Sequence, residues 1–147
     1  MNLLVIKKES QFPDYITIDL LSDFLHRVMK PWEDKTSDIK KGIQYALDDS
    51  DKRGGFIILA LENKKLLGGS VVLKTNMSGY IPPNLLLFIG VDPELRGKGI
   101  GGKILDAVKS NCIGDIKLHV EPENKAGNLY ERKGFKIKYN EMRFSEE

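Results

Sequence analysis

The chain has 147 residues, 41% hydrophobic and 30% charged, enough to bury one sizeable core without a metal or disulfide staple. With 23 basic and 21 acidic residues the net charge is +2, too even to mark nucleic acid or a membrane surface as a partner. The lone cysteine, Cys112, excludes an internal disulfide and fits a reducing, cytoplasmic setting.

The opening residues have too short an apolar run for a signal peptide, and no stretch reaches the roughly 18 apolar residues of a membrane helix. Leu3 to Lys7 reads as a short strand. Ile16, Leu20 and Phe24, widened by Leu21, Leu25 and Val28, form the stripe of an amphipathic helix that Pro31 stops. A second helix starts at the cap candidates Thr36, Ser37 and Asp38 and carries Ile39, Ile43 and Leu47. After the acidic loop Asp48, Asp49 and Asp51, two strands, Phe56 to Leu61 and Leu66 to Lys74, flank a turn at Glu62-Asn63-Lys64-Lys65.

Leu85 to Val91 is apolar at nearly every position, as a strand covered on both faces would be. Asp92-Pro93 ends it, and a glycine-rich loop leads into a helix bearing Ile100, Ile104, Leu105 and Val108. Ile116 to Glu121 alternates as a strand and Asn124 to Arg132 reads as a short helix. Phe135 to Lys138 and Met142 to Phe144 form closing strands. The order describes a mixed α/β sheet with helices on its faces, in one domain over residues 1–147.

The loop Arg96-Gly97-Lys98-Gly99-Ile100-Gly101-Gly102 is the most informative segment. Glycine lets backbone approach a ligand, and the first N–H groups of a helix lack internal partners and sit at the positive end of its dipole. Together they make an anion site, to which Arg96 and Lys98 add charge. Two nucleotide patterns overlap this loop. Gly97, Gly102 and Lys103 follow the P-loop spacing, but Ile104 stands where a magnesium-binding hydroxyl belongs. Gly97, Gly99 and Gly102 follow the dinucleotide spacing, but Asp92 to Arg96 separate them from the strand and no second βαβ unit follows. A glycine turn with no ligand is the plain structural alternative.

Val91-Asp92-Pro93-Glu94-Leu95-Arg96-Gly97-Lys98-Gly99-Ile100-Gly101 resembles the pyrophosphate-binding motif of the GNAT superfamily of N-acetyltransferases, with Arg96, Gly99 and Gly101 at its marked positions. Asn124 to Phe135, with Leu129-Tyr130-Glu131 and Gly134-Phe135, is similar to the family's later block. The resemblance implies a mixed, mostly antiparallel sheet of six to seven strands with about four helices on its faces, splayed between the fourth and fifth strands. It implies acetyl-CoA as acyl donor, without a metal, and an amine-bearing acceptor attacking the thioester directly in a ternary complex.

The resemblance assigns the diphosphate to Arg96, Gly97, Lys98, Gly99, Ile100, Gly101 and Gly102, and the pantetheine arm to the backbone near Ile89 and Val91. Asn124 and Tyr130 are further cofactor contacts, and Tyr130 is the acid that protonates the leaving thiolate. Leu85 to Val91 carries no carboxylate to serve as base. Glu121, His119 or solvent takes that role, Glu121 acting through water. Trp32, Tyr80 and Phe12 are candidates for an acceptor pocket, each equally a packing residue. Asp48, Asp49 and Asp51 could attract a cationic amine or form a solvated helix end. Cys112 reads as a buried small hydrophobe rather than a nucleophile. Exposed sheet edges make a homodimer an expectation. A non-catalytic acyl-CoA-binding or regulatory module is the alternative function.

Overall fold

The computed structural model describes residues 1–146, which build one sheet between two layers of helices. The strands are β1 (Asn2–Ile6), β2 (Gly55–Glu62), β3 (Lys65–Lys74), β4 (Asn84–Val91) and β5 (Ile116–Leu118), side by side in chain order. β1 to β4 pair antiparallel, and β5 joins β4 in parallel after a helical crossover. Helices α1 (Ile18–Val28) and α2 (Thr36–Ala46) cover one face, and α3 (Ile100–Asn111) and α4 (Ala126–Arg132) cover the other.

The central strand β2 explains both layers. Its side chains alternate, so Ile57 and Leu59 meet Leu21, Leu25, Ile39 and Ile43, while Ile58 and Ala60 meet Ile104, Leu105 and Val108. All of these are fully buried. In α1 the buried residues are Leu21, Phe24, Leu25 and Val28, spaced three and four apart. Leu20, which the four-residue row from Ile16 includes, is 42% exposed, because a step of four overshoots a turn of about 3.6 residues. Thr17 caps α1, its Oγ1 accepting from the Leu20 N–H at 3.0 Å. Helix α2 corrects the expected cap: it begins at Thr36, and Lys35 precedes it without a side-chain bond.

The β2–β3 turn is tighter than the sequence reading. Glu62 pairs with Lys65, leaving only Asn63 and Lys64 in the turn, both with positive φ. That is the backbone of a two-residue hairpin whose twist matches its strands. Strand β4 carries a bulge at Leu87: Val71 pairs with Phe88 and Val72 with Leu86. The extra residue sends both Leu87 and Phe88 toward the α1–α2 layer, where α2 makes room with Gly42.

Gly55 opens β2 with φ +154, and a Cβ there would lie 1.8 Å from the Val72 carbonyl oxygen. Backbone cannot step aside as a flexible side chain can. Gly55→Ala is therefore expected to cost about 3 kcal/mol and lower Tm by about 10 °C, read by thermal denaturation.

The sheet stops at five strands, not six or seven. Phe135 to Lys138 and Met142 to Phe144 have strand periodicity but form no ladder. Period alone makes no strand; a partner edge is needed, and β5 ends at Leu118. Ile137, Tyr139, Met142 and Phe144 are consequently exposed.

Candidate active site

Asp92 closes β4, its Oδ1 accepting from the Glu94 N–H at 3.0 Å, and a single 3₁₀ turn delivers the chain to the glycine loop. Gly97 and Gly99 have φ of +82° and +81°, and a Cβ on either would touch nothing within 4 Å. Their side of the loop is open space, and the left-handed backbone rather than crowding requires glycine. Gly99 is also the N-cap of α3 and makes no side-chain bond there. The first helical bond runs from the Lys103 N–H to the Gly99 carbonyl, 3.1 Å. Among the described residues, the N–H groups of Gly97 to Gly102 find no protein acceptor. The sequence thus leaves a row of donors at the positive end of a three-turn helix, in a loop no side chain shields.

Next to this loop the sheet opens. β4 and β5 pair only at Asn84, Leu85 and Leu86 with Ile116, Lys117 and Leu118. Beyond Leu86, β4 continues for five residues with no strand on that side, so the polar backbone groups it turns away from β3 have no ladder partner among the described residues. Ile89 and Val91 lie in this stretch, their side chains packed on the α3–α4 layer. A cleft of about 2880 Å³ runs through the opening and is lined by Ile89, Val91, Gly97 and Gly99 to Gly102.

The residue that holds the narrow end of the splay, Asn84, escaped the sequence reading. Its Nδ2 donates to the carbonyls of Ile113 and Asp115 at 2.8 and 3.1 Å, and it is 7% exposed. A polar residue opening an apolar strand was the available signal. Asn84→Ala leaves those carbonyls short of a donor and is expected to cost about 2 kcal/mol, read as a lower denaturation midpoint in urea.

Tyr130 projects from α4 into the second core and reaches the cleft. It is 9% exposed and stacks edge-on against Phe135, ring centres 6.1 Å apart. Burial pushes its phenol up to about 12, so the hydroxyl stays protonated. Two contacts set α4 against α3: Lys133 Nζ meets Asp106 Oδ2, and Lys109 Nζ donates to the Lys133 carbonyl, each at 2.9 Å. Gly101 lets α4 come this close, since a Cβ there would sit 3.2 Å from Leu129 Cδ2. Asn124 lines the cleft but precedes α4 rather than belonging to it. Its Oδ1 accepts from the Ala126 N–H at 3.0 Å, folding the turn that starts the helix.

The expected fifth strand is shortened to Ile116–Leu118. His119 and Glu121 follow it as exposed residues of irregular chain along the cleft, because the diverging β4 offers them no ladder. Lys98 is exposed at the loop but does not line the cleft. Arg96 lines the cleft, and one of its five guanidinium N–H donors, at Nη2, bonds the Val28 carbonyl at 2.6 Å. That carbonyl is among the last of α1, which lack helical partners and attract a cation.

Trp32 and Tyr80 are exposed on the opposite rim of the cleft, whereas Phe12 packs on the α1–α2 core, away from it. Asp48 is a turn residue: the Ser50 N–H donates to it at 3.0 Å and, with Arg53 nearby, holds its carboxyl below the ordinary range. Burial pushes the Cys112 thiol up to about 11, which makes it a poor nucleophile. Among the described residues no helix is long and apolar enough to cross a membrane. No group of three His, Cys, Asp or Glu among them could hold a metal ion.

A helix N-terminus whose donors find no acceptor among the described residues is set beside a mixed α/β sheet that splays after three residue pairs. The family model for the acetyltransferase (GNAT) domain matches residues 53–137. The chain belongs to the GNAT acetyltransferases. It is similar over 99% of its length to an aminoglycoside N-acetyltransferase solved with CoA, at 12% identity, 95% coverage of that chain and TM-score 0.69. It is also similar to a GNAT family acetyltransferase from Streptococcus pneumoniae TIGR4, at 18% identity, TM-score 0.67, and 99% and 100% coverage of the two chains. An integron cassette protein from V. cholerae shares 20% identity at TM-score 0.66, with 99% of this chain and 94% of that one covered. Among curated proteins no sequence matches significantly.

Proposed function

We propose that this chain moves an acetyl group from acetyl-CoA to a primary amine, by direct attack while both are bound. The observation that carries the reading is the row of unpaired N–H groups from Gly97 to Gly102 beside the opened β4–β5 gap. The donors suit a diphosphate, and the gap suits an extended amide-bearing arm that can bond the free edge of β4 near Ile89 and Val91. CoA has both parts in that order. A dinucleotide has no thiol-ended arm to fill the gap.

The chemistry needs a neutral amine, a polarised carbonyl and a proton for the departing sulfur. The amine nitrogen bonds the carbonyl carbon, the C–S bond breaks, the thiolate takes the Tyr130 proton, and the phenolate regains a proton from water. The nitrogen's extra proton leaves to water, directly or through exposed Glu121 or His119. Tyr130 is supported by its protonated state and its place on the cleft wall. Residues toward the α1–α2 rim, Trp32 and Tyr80 among them, form the acceptor side.

The test is calorimetry with CoA, then free-thiol release from acetyl-CoA across a panel of amines. Micromolar CoA binding with amine-dependent thiol release supports the reading. Tight binding of a nicotinamide or adenine nucleotide without CoA binding overturns it. CoA binding with no thiol release on any amine favours a binding module, for which the missing carboxylate on β4 speaks.

A further inference from the structure

One cation beside the glycine loop has no part in the acyl transfer. Lys133 caps the C-terminal end of α4 and turns its side chain across the first turn of α3. A Cβ on Gly102 would lie 3.4 Å from Lys133 Cε and 3.6 Å from its Nζ. The ammonium therefore rests beside the N–H groups of that turn, which find no acceptor among the described residues.

Two bonds hold it there. Lys133 Nζ meets Asp106 Oδ2, and the Lys133 carbonyl accepts from Lys109 Nζ, each at 2.9 Å. Asp106 follows Gly102 by four residues on α3, so the two share a helix face. An ammonium has three N–H donors, and Asp106 takes one. Lys133 lines the cleft and Asp106 does not, so the pair turns its cation toward the cleft. An exposed pair of this kind adds little stability, and packing alone does not call for lysine here. The loop's own lysines, Lys98 and Lys103, do not line the cleft.

The loop also has a direction. Gly101 faces the sheet, since a Cβ there would lie 3.7 Å from Val91 Cγ2. Gly102, one residue on, faces Lys133 instead. A ligand whose arm follows the unpaired side of β4 reaches Val91 and Gly101 first and leaves the loop on the Lys133 side. In CoA the group beyond the diphosphate is a ribose carrying a 3′-phosphate, the other anion of the ligand.

We propose that Lys133 recognises this 3′-phosphate, and that the protein thereby distinguishes CoA from 3′-dephospho-CoA. The proposal rests on CoA being the ligand of the glycine loop. An ammonium on a phosphate dianion is a charge-assisted contact, and a side chain already pinned by Asp106 has little rotamer freedom left to lose.

The experiment is calorimetry of the full chain with CoA and with 3′-dephospho-CoA, for the wild type, Lys133→Met and Lys133→Arg. Both ligands are measured on each protein, so a general loosening of the loop moves both affinities alike and leaves their ratio unchanged. The wild type is expected to bind CoA about tenfold more tightly than 3′-dephospho-CoA. In Lys133→Met the CoA affinity falls about tenfold, the 3′-dephospho-CoA affinity stays within about twofold, and the preference is lost. Lys133→Arg keeps the cation and the preference. A wild type that binds the two ligands equally overturns the assignment, as does a Lys133→Met variant that retains the preference. Equal loss of both ligands in Lys133→Met also overturns it, in favour of a contact to the diphosphate. A wild type that binds neither ligand overturns the acetyl-CoA reading itself, and this assignment with it.

Discussion

Gly99→Val is expected to weaken CoA binding about thirtyfold while leaving the protein folded. The reason is conformational. Gly99 sits at φ +81°, ψ 7°, where a β-branched side chain is disfavoured by about 2 kcal/mol. No atom within 4 Å would clash with the new Cβ, so crowding is not the cause. In the free protein the loop can relax, because its N–H groups from Gly97 to Gly102 bond no protein acceptor. Binding a diphosphate forces the original conformation back, and the strain then appears in Kd. Calorimetry reads the affinity, and a melting curve reads the fold. A Tm that falls by more than about 10 °C would mean that the loop supports the core instead. An unchanged Kd would mean that the loop is not the anion site.

Tyr130→Phe is expected to lower kcat by a factor of about 10² to 10³ with little effect on CoA affinity. The phenol makes no hydrogen bond to another described residue, so phenylalanine keeps the buried ring and its edge contact with Phe135. Only the proton is removed. Burial raises the phenol from 10.0 to about 12, which fixes the sign of two pH effects. The folded pKa lies above the unfolded one, so the stability tied to the protonated phenol is complete below pH 10.0 and lost as pH rises through about 12. Likewise the acid stays available in alkali, so kcat should hold to about pH 11 rather than fall near the ordinary phenol value. A pH–rate series on wild type and variant decides it. Equal kcat in the two proteins would leave Tyr130 as packing alone.

The functional half of the molecule was legible where local chemistry and structure coincide. Glycine at 97 and 99 is demanded by the backbone each position adopts, and a proline after Asp92 ends a strand wherever it stands. The donors of the glycine loop are backbone groups of a helix start, so finding that start locates them. Tyr130 was recognisable from its block, though its near-complete burial and its raised pKa come from the core around it. The elements themselves followed from periodicity. Ile39 and Ile43, Ile57 and Leu59, and Ile104, Leu105 and Val108 lie where their patterns put them.

The misreadings share one cause: contacts between residues far apart in sequence. Arg96 carries the charge of a phosphate ligand, and nothing near it in sequence announces that a carbonyl 68 residues earlier also accepts from its guanidinium. Asn84 looks like an ordinary strand start until the chain returns 29 and 31 residues later to accept its amide. His119 and Glu121 alternate like a strand, yet the divergence of β4 leaves them without one. Phe135 to Phe144 has the pattern of two strands and no edge on which to build them. By itself the sequence determined which segments have the pattern of helix, strand or glycine turn and which backbone groups at the start of α3 lack a helical partner, because those depend on neighbours a few residues away. Only the tertiary structure decided how far β5 follows β4, what Arg96 holds and how deeply Tyr130 is buried. Those depend on which distant surfaces meet, and no local pattern encodes that.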